Sequence, residues 1–496
     1  MVCAEVDTGY RSDMAFLRLS DRTLAQAGND AWRGGYDRAN VGVGVVHLGP
    51  GAFHRAHQAP VYDRLLAHDP RWGVCGVSLK SPGVSEALTP QDGLYTLVEL
   101  DREVSFTIIG AMKAVLTAQQ TPALVLAQMA APQTRLFSLT VTEKGYCLNG
   151  AGELDLAHPD IALDIARPAV PNSAVGWLVA GLRARHGAGA PAPTVMSCDN
   201  LTNNGGKLGG AVTTLARAQG DAVLADWIEL AVAFPNSMVD SITPATDEAL
   251  KTRVREAIGL DDAWPIQRER FTQWVIENRF AAGAPDLAAA GVTVVSDVRP
   301  FEQAKLRLLN GAHSSLAYIG LTAGFETVAD AMADPDLARF VERLMRIDIA
   351  PSLAPSADLD LPAYIGAILE RFRNPAIRHR LAQIAWDGSQ KLPFRLLGTI
   401  ADALDVGRPI ERLCVPVAAW MLFAAGAVRR GETLVDPLAA QIAAIADAPL
   451  EAQVEGFLAL DTVFPRRLAG NPRFAGAVAS AHQALADGRM AAVLAL

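Results

Sequence analysis

The order of apolar and polar positions predicts strands that alternate with helices over the first 300 residues. Short apolar runs rich in β-branched residues are expected to be buried strands at 41–48 (VGVGVVHL), 72–79 (WGVCGVSL), 136–142 (LFSLTVT) and 194–197 (TVMS). Residues 52–66 and 124–129 have helical spacing, and 94–100 with 104–109 indicates an added hairpin. Such alternation is typical of an α/β fold with a parallel, doubly wound sheet of the Rossmann type.

From Pro300 onward the pattern changes to Leu, Ala and Arg at spacings of three and four residues, which predicts a mostly α-helical domain. Helical segments are expected near residues 300–322, 326–347, 361–373, 375–386, 394–404, 408–429, 436–446 and 450–460. A chain of 496 residues is longer than one core usually supports. We therefore expect an N-terminal extension (1–40), a doubly wound dinucleotide-binding domain (41–295) and a helical substrate-binding and catalytic domain (296–496).

Composition and charge narrow the function. Lys and Arg number 44 against 53 Asp and Glu, a net charge of −9, which argues against nucleic acid or an anionic membrane as a partner. The most apolar run, 415–428, is shorter than a bilayer requires and is expected to be a buried helix. The early charges Glu5, Asp7 and Arg11 argue against a signal peptide. Five scattered cysteines form no C-x-x-C pair, so we expect a reducing cytoplasm and no zinc site.

A glycine turn follows the first strand. Gly49-Pro50-Gly51 would place backbone amides and a helix N-terminus where a pyrophosphate can bind, although a merely structural tight turn remains an alternative. At the end of the second strand, where an acidic residue would bind an adenosine ribose, the chain has Lys80 and Ser81. These residue types tolerate a ribose phosphate, so NADP stays open beside NAD.

The segment KLRLLNGAH carries three reactive side chains on a predicted apolar helix. At 100° per residue, Asn310 lies about 140° and His313 about 80° around the helix from Lys305. A lysine held among apolar residues loses its charge more easily than one in water, as a general base near neutral pH requires. The alternative is an exposed lysine and a core histidine.

These features together resemble the long-chain mannitol and polyol dehydrogenase family. The resemblance extends from about residue 42 to the end, and its motifs are HLGPGAFHRAHQA (47–59), SLTVTEKGYC (138–147), TVMSCDN (194–200), FPNSMVD (234–240), KLRLLNGAH (305–313), RFRNPAIRHR (371–380) and DGSQKLP (387–393). It implies a metal-independent, NAD-dependent oxidoreductase that acts on a small sugar acid or polyol, as a monomer or small homo-oligomer.

The resemblance also implies roles for individual residues. Lys305 would be the catalytic base, Asn310 and Asn200 would hold the reacting oxygen, and His313 would orient the substrate. A single base and two neutral donors suffice for a reaction that couples hydride transfer to proton transfer. The residues expected to bind the cofactor are Gly49, Gly51, Ala52, Phe53, His54, Arg55, Thr142 and Glu143. Glu143 and its neighbour Lys144 are as well explained by an ordinary ion pair.

The substrate is the least constrained part of the prediction. The segments NPAIRHR, QIAWDGSQKLP and TVTEKGYC resemble family members whose substrate bears a carboxylate, and the residues expected to bind substrate are Asp240, Arg378, Arg380 and Lys391. This favours reversible reduction of D-fructuronate to D-mannonate. Interconversion of mannitol and fructose is the alternative, although Gln383 stands about where mannitol-oxidising relatives tend to carry arginine. A more distant alternative is a cofactor-binding sensor without turnover.

Overall fold

The chain divides into two units after Ser296. The computed structural model describes residues 16–28, 31–32, 34–281 and 283–496. Within the predicted N-terminal extension (1–40), residues 1–15, 29, 30 and 33 lie outside the described part of the chain. Each unit is described separately below.

The first unit contains the strands. Their bounds are β1 (Val43–Leu48), β2 (Gly73–Ser78), β3 (Tyr95–Leu100), β4 (Ser105–Ile109), β5 (Met112–Thr117), β6 (Leu136–Leu139), β7 (Thr194–Ser197), β8 (Ser237–Asp240), β9 (Ile266–Glu269), β10 (Gln273–Glu277) and β11 (Thr293–Val295). Its α-helices are α1 (Ala52–Ala56), α2 (Gln58–Leu66), α3 (Gly83–Leu88), α4 (Pro122–Ala130), α5 (Pro159–Ala166), α6 (Ala174–Gly187), α7 (Asn204–Ala218), α8 (Ala222–Ala231) and α9 (Glu248–Ile258).

The main sheet is parallel and has the order β5-β2-β1-β6-β7. The chain moves outward from β1 through β2 to β5 and then returns to the other side of β1 with β6. In such sheets the carboxyl ends of the two strands where the order reverses form the crevice that binds ligands. Apolar residues of α4, α6 and α7 cover one face, and those of α2 cover the other. The predicted Rossmann-type, doubly wound sheet is confirmed.

Smaller sheets flank this core. β3 and β4 form the predicted antiparallel hairpin, which β9 extends in parallel. β10 lies between β8 and β11 in a third sheet. The helix predicted over residues 52–66 is broken: α1 ends at Ala56, and His57 has φ −114° and ψ −68°.

The second unit is helical, as predicted. Its α-helices are α10 (Arg299–Ala304), α11 (Gly311–Thr322), α12 (Val328–Ala333), α13 (Pro335–Arg343), α14 (Leu361–Phe372), α15 (Leu381–Ile384), α16 (Gly388–Leu392), α17 (Gly398–Asp405), α18 (Glu411–Arg429), α19 (Ala439–Ala446), α20 (Leu450–Leu458), α21 (Arg466–Ala469), α22 (Pro472–Ala486) and α23 (Met490–Leu494). π-helical turns occur at Lys305–Asn310, Leu344–Ile349 and Pro393–Leu397.

The core of this unit surrounds α18. That helix is long and apolar enough to cross a membrane, but most of it is buried against α11 and α22, so it is the core helix that the sequence predicts. One helical prediction is wrong. Residues 374–380 are irregular, and only Leu381–Ile384 of the segment 375–386 is helical, because Arg380 forms a β-bridge with Thr327 instead.

Candidate active site

The glycine turn after β1 is conformationally specific. Gly49 has φ +86°, and a Cβ at this position would lie 2.3 Å from the carbonyl oxygen of Thr140. The Gly49 N–H donates to the carbonyl of Val77, and its own carbonyl accepts from the Thr140 hydroxyl at 2.8 Å. Only glycine tolerates this backbone and this approach. The turn therefore joins the ends of β1, β2 and β6 at the point where the strand order reverses.

Gly51, the second glycine of the turn, is exposed and directly precedes α1. A Cβ there would meet no atom closer than 3.9 Å, so the turn leaves open space at this residue, whose own N–H donates to the Gly49 carbonyl. Ala52 and Phe53 are partly exposed at the same end. Since α1 spans only five residues, the local N–H groups rather than a long helix dipole would hold an anion here.

His47, at the end of β1, holds the glycine turn in place through hydrogen bonds from its side chain. Its Nδ1 lies 2.8 Å from the Ser138 hydroxyl and its Nε2 lies 2.9 Å from that of Thr140. Its ring stacks on that of His54, with centroids 3.4 Å apart. Complete burial lowers the pKa of His47 to about 3. At physiological pH a neutral imidazole therefore links β1 to β6.

Two of the predicted cofactor ligands belong to the core instead. His54 and Arg55 are fully buried. The Arg55 guanidinium lies over the rings of Tyr95 and Trp264 and donates to the Trp264 carbonyl at 2.9 Å. A side chain without accessible surface does not reach a cofactor in this conformation, so the prediction for these two residues is corrected.

Thr142 occupies a strained position at the end of β6. Its φ of 65° and ψ of 162° are rare for a non-glycine residue, and such strain is concentrated at functional sites. The Asp199 carboxylate accepts from the N–H groups of Val141 and Thr142 at 3.0 and 2.9 Å and from the Tyr146 hydroxyl at 2.8 Å. Thr142, Glu143 and Lys144 are all exposed. Asp199 thus fixes an exposed, conformationally restricted segment beside the glycine turn.

Asn200 is exposed and follows Asp199 directly, at the same edge of the sheet as Gly49 and Thr142. Asp240 ends β8 in a different sheet and is only 7% exposed. At the end of β2, Lys80 is exposed and its Nζ lies 3.4 Å from Asp160. The predicted position for an adenosine ribose thus contains an ion pair rather than an unopposed cation.

In the second unit, the π turn corrects the predicted geometry of the KLRLLNGAH helix. Residues 299–322 form one helical run, and the segment Lys305–Asn310 is π-helical. One residue inserted into an α-helix removes a rotation of about 100°, which leaves Asn310 about 40° and His313 about 20° from Lys305. Because of the inserted residue, the amine of Lys305, the amide of Asn310 and the imidazole of His313 lie along one line of the helix surface rather than across a broad face. Lys305 and Asn310 are partly buried on that line.

His313 is buried and neutral. Its ring contacts Phe372, with centroids 4.5 Å apart, and meets His379 edge to face at 5.2 Å. Burial, followed by the nearby His379, Arg371 and Arg395, holds the pKa of His313 well below its usual value. A neutral imidazole donates one hydrogen bond and accepts another, which suits binding of a hydroxyl group.

The predicted carboxylate ligands differ in how far they are exposed. Arg378 and Arg380 are exposed, and both lie near Glu326, at 3.6 and 3.8 Å. Lys391 is partly buried and donates to the Ile384 carbonyl at 3.3 Å. Exposed ion pairs contribute little, so Arg378 and Arg380 are only weakly held by Glu326, and Lys391 is the one partly buried cation among the three.

Sequence reasoning missed two side chains beside His313. His379 meets the His313 ring edge to face, and its pKa is lowered by burial and by Arg371. Arg395 donates to the hydroxyl of Ser314, the residue after His313, at 3.0 Å. His379 lies within the motif 371–380 and Arg395 two residues after the motif 387–393, but only the fold reveals that they meet this helix.

Comparison with known proteins agrees with this architecture. Residues 43–289 match the family model of the mannitol dehydrogenase Rossmann domain, and residues 297–486 match that of the mannitol dehydrogenase C-terminal domain. The chain belongs to the mannitol dehydrogenase family. It is therefore an oxidoreductase of the family that the sequence motifs indicated.

Several relatives are similar over nearly the whole chain. D-mannonate oxidoreductase of Escherichia coli is 42% identical, covering 94% of this chain and 98% of that protein. Mannitol 2-dehydrogenase of Phaeosphaeria nodorum is 37% identical, with coverage of 97% and 86%. Among solved structures, Pseudomonas fluorescens mannitol 2-dehydrogenase, in a ternary complex with NAD and D-mannitol, is 36% identical with TM-score 0.79, covering 97% of this chain and 99% of that one.

Proposed function

We propose that this mannitol dehydrogenase family enzyme uses NADH to reduce D-fructuronate reversibly to D-mannonate, with a lysine rather than a metal ion as acid and base. The observation that carries the proposal is the π turn Lys305–Asn310 followed by the neutral His313, because that turn brings Lys305, Asn310 and His313 to one line of the helix. π turns inserted into α-helices are frequent at functional sites. The similarity to the E. coli D-mannonate oxidoreductase supports the sugar-acid substrate.

The first unit would hold the cofactor. The tight turn at Gly49 leads to open space at Gly51, which with Ala52 and Phe53 beside it suits a pyrophosphate, and the exposed residues Thr142 and Glu143 stand at the adjoining strand end. The P. fluorescens relative was solved with NAD. Asp160 beside Lys80 opposes a ribose phosphate and favours NAD over NADP.

The second unit would handle the proton. NADH, when bound, supplies the hydride that the keto carbon receives. As charge develops on the keto oxygen, Lys305 gives it a proton from Nζ, and in the oxidation direction Lys305 takes that proton back. The amides of Asn310 and Asn200 donate to the reacting oxygen in both directions. His313 stays neutral and orients the substrate through a neighbouring hydroxyl, while Asp240 and Lys391 contact its other polar groups.

Interconversion of mannitol and fructose is the second candidate, because the mannitol 2-dehydrogenase relatives are nearly as similar as the D-mannonate oxidoreductase. Either enzyme would act on a small molecule, and we propose that it does so in the cytoplasm. Initial rates with NADH separate the candidates: kcat/KM is expected to be at least about tenfold higher for D-fructuronate than for D-fructose. Equal or higher values for fructose would contradict the proposed substrate. NADPH should support slower turnover than NADH at equal concentration.

A further inference from the structure

Arg395 is a partly buried cation on the π turn Pro393–Leu397. Its Nη1 donates to the Ser314 hydroxyl at 3.0 Å, and burial lowers its pKa. A guanidinium has five N–H donors, so one hydroxyl leaves most of them unused. The other guanidinium nitrogens of Arg395 are not fully buried, so they face accessible space.

Within the part of the chain that the structure describes, no acidic side chain lies within ion-pair distance of Arg395. Two other arginines with little exposed surface have stronger partners, although one nitrogen of each makes no hydrogen bond. Arg412 pairs with Asp348 at 2.5 Å, and Arg185 donates to the carbonyls of Pro191, Met129 and Ala131. A charge removed from water is costly unless it is paired. Arg395 therefore has one neutral hydroxyl as its partner where Arg412 has a carboxylate and Arg185 has three carbonyls.

Arg395 lies against the helix that carries Lys305 and His313. Ser314 follows His313, and a Cβ on Gly311 would lie 2.9 Å from the Arg395 carbonyl, so the two π-containing segments touch closely. The charge of Arg395 helps to lower the pKa of both His313 and Lys391. Two neighbouring cations repel each other, and an anion bound between them would reverse that penalty.

We propose that Arg395 binds the carboxylate of the sugar-acid substrate and thereby sets the preference for a sugar acid over the uncharged polyol. This inference rests on the proposed function. Arginine presents two parallel N–H groups that match both oxygens of a carboxylate, which a lysine cannot do. A polyol has a hydroxyl at that position and gains much less from the cation.

The test measures binding in complexes that cannot react. D-Mannonate and D-mannitol are titrated separately into the enzyme saturated with NADH, where both partners are already reduced and no hydride moves. Arg395→Gln is expected to raise the Kd for mannonate about 10- to 100-fold, the usual effect of losing a hydrogen bond to a charged group, with the Kd for mannitol unchanged within about twofold. Arg395→Lys should keep the charge and lose part of the affinity. Arg339→Gln, at an exposed arginine paired with Asp336, is the matched control and should change neither Kd.

The ratio of the two dissociation constants does not depend on how much of the variant folds. An equal loss of affinity for mannonate and mannitol would overturn the assignment and make Arg395 a packing residue, and so would unchanged affinity for mannonate. Failure of the proposed function appears elsewhere, as wild-type enzyme that does not turn over D-fructuronate with NADH.

Discussion

The carboxylate of Asp199 accepts a hydrogen bond from the backbone N–H of Thr142 at 2.9 Å. It thereby joins the loop after β7 to a residue with φ of 65° after β6. A backbone in this region is unfavourable by about 1–3 kcal/mol and persists only when its surroundings fix it. Asp199 is thus the anchor of the exposed segment that would contact the cofactor.

Asp199→Asn should release that segment. One of the two carboxylate oxygens is replaced by a donor, which leaves a backbone N–H without its acceptor and costs about 1–3 kcal/mol in the free energy of unfolding. We expect the Kd for NADH to rise about tenfold in a fluorescence titration. Asp226→Asn, at an exposed carboxylate, is the control. The anchoring role is wrong if the two variants bind NADH equally well.

The glycine turn gives a second prediction with an internal control. Gly49→Ala combines a positive φ with a Cβ only 2.3 Å from a carbonyl oxygen, whereas Gly220→Ala has φ +78° and open space. The control should lose about 1 kcal/mol in the free energy of unfolding, the usual effect of a left-handed alanine. Gly49→Ala should lose at least about 2 kcal/mol more and bind NADH measurably more weakly. Equal losses would show that the close approach to Thr140 is unimportant.

The sheet could be predicted from the sequence because its strands are short apolar runs bounded by turns. The run VGVGVVHL and the glycines after it identify β1 and its turn, since only glycine accepts the backbone at Gly49. The role of His47, which links β1 to β6, could not be read from the chain because Ser138 and Thr140 are more than 90 residues away.

The helix that carries Lys305 and His313 was predicted, but its geometry was not. A helical wheel assumes 100° per residue, and nothing in KLRLLNGAH indicates the inserted residue of the π turn. Arg55 illustrates the opposite problem: it lies in a recognised motif, yet Tyr95 and Trp264 enclose it. Arg395 was missed because its closeness to Ser314 depends on how two distant segments pack.

Buried histidines make stability dependent on pH. His47 has a pKa of about 3 in the fold and about 6.5 when unfolded, so below pH 6.5 the unfolded chain binds a proton that the folded chain does not. The stability that the neutral His47 contributes to the fold is fully present above pH 6.5 and is lost as the pH falls toward 3. Between pH 7 and 5 it should lower the free energy of unfolding by about 2 kcal/mol.

Urea denaturation at pH 7 and 5 measures this effect. His47→Asn should show a difference between the two pH values that is smaller than that of the wild type by about 2 kcal/mol, whereas the exposed-residue control His68→Asn should match the wild type. An unchanged difference in His47→Asn would contradict the assignment of a neutral, buried His47.

We propose that Lys305 transfers the proton, and single-turnover hydride transfer in Lys305→Ala measures that step itself. The rate of NADH oxidation by the bound keto acid should fall by about 10²- to 10⁴-fold, the usual contribution of a general acid. The Kd for NADH should stay within about twofold, and small primary amines should restore part of the rate. Lys251→Ala, at a lysine paired with Glu248 on α9, should behave as wild type. A Lys305→Ala enzyme that transfers hydride at the wild-type rate would contradict the account.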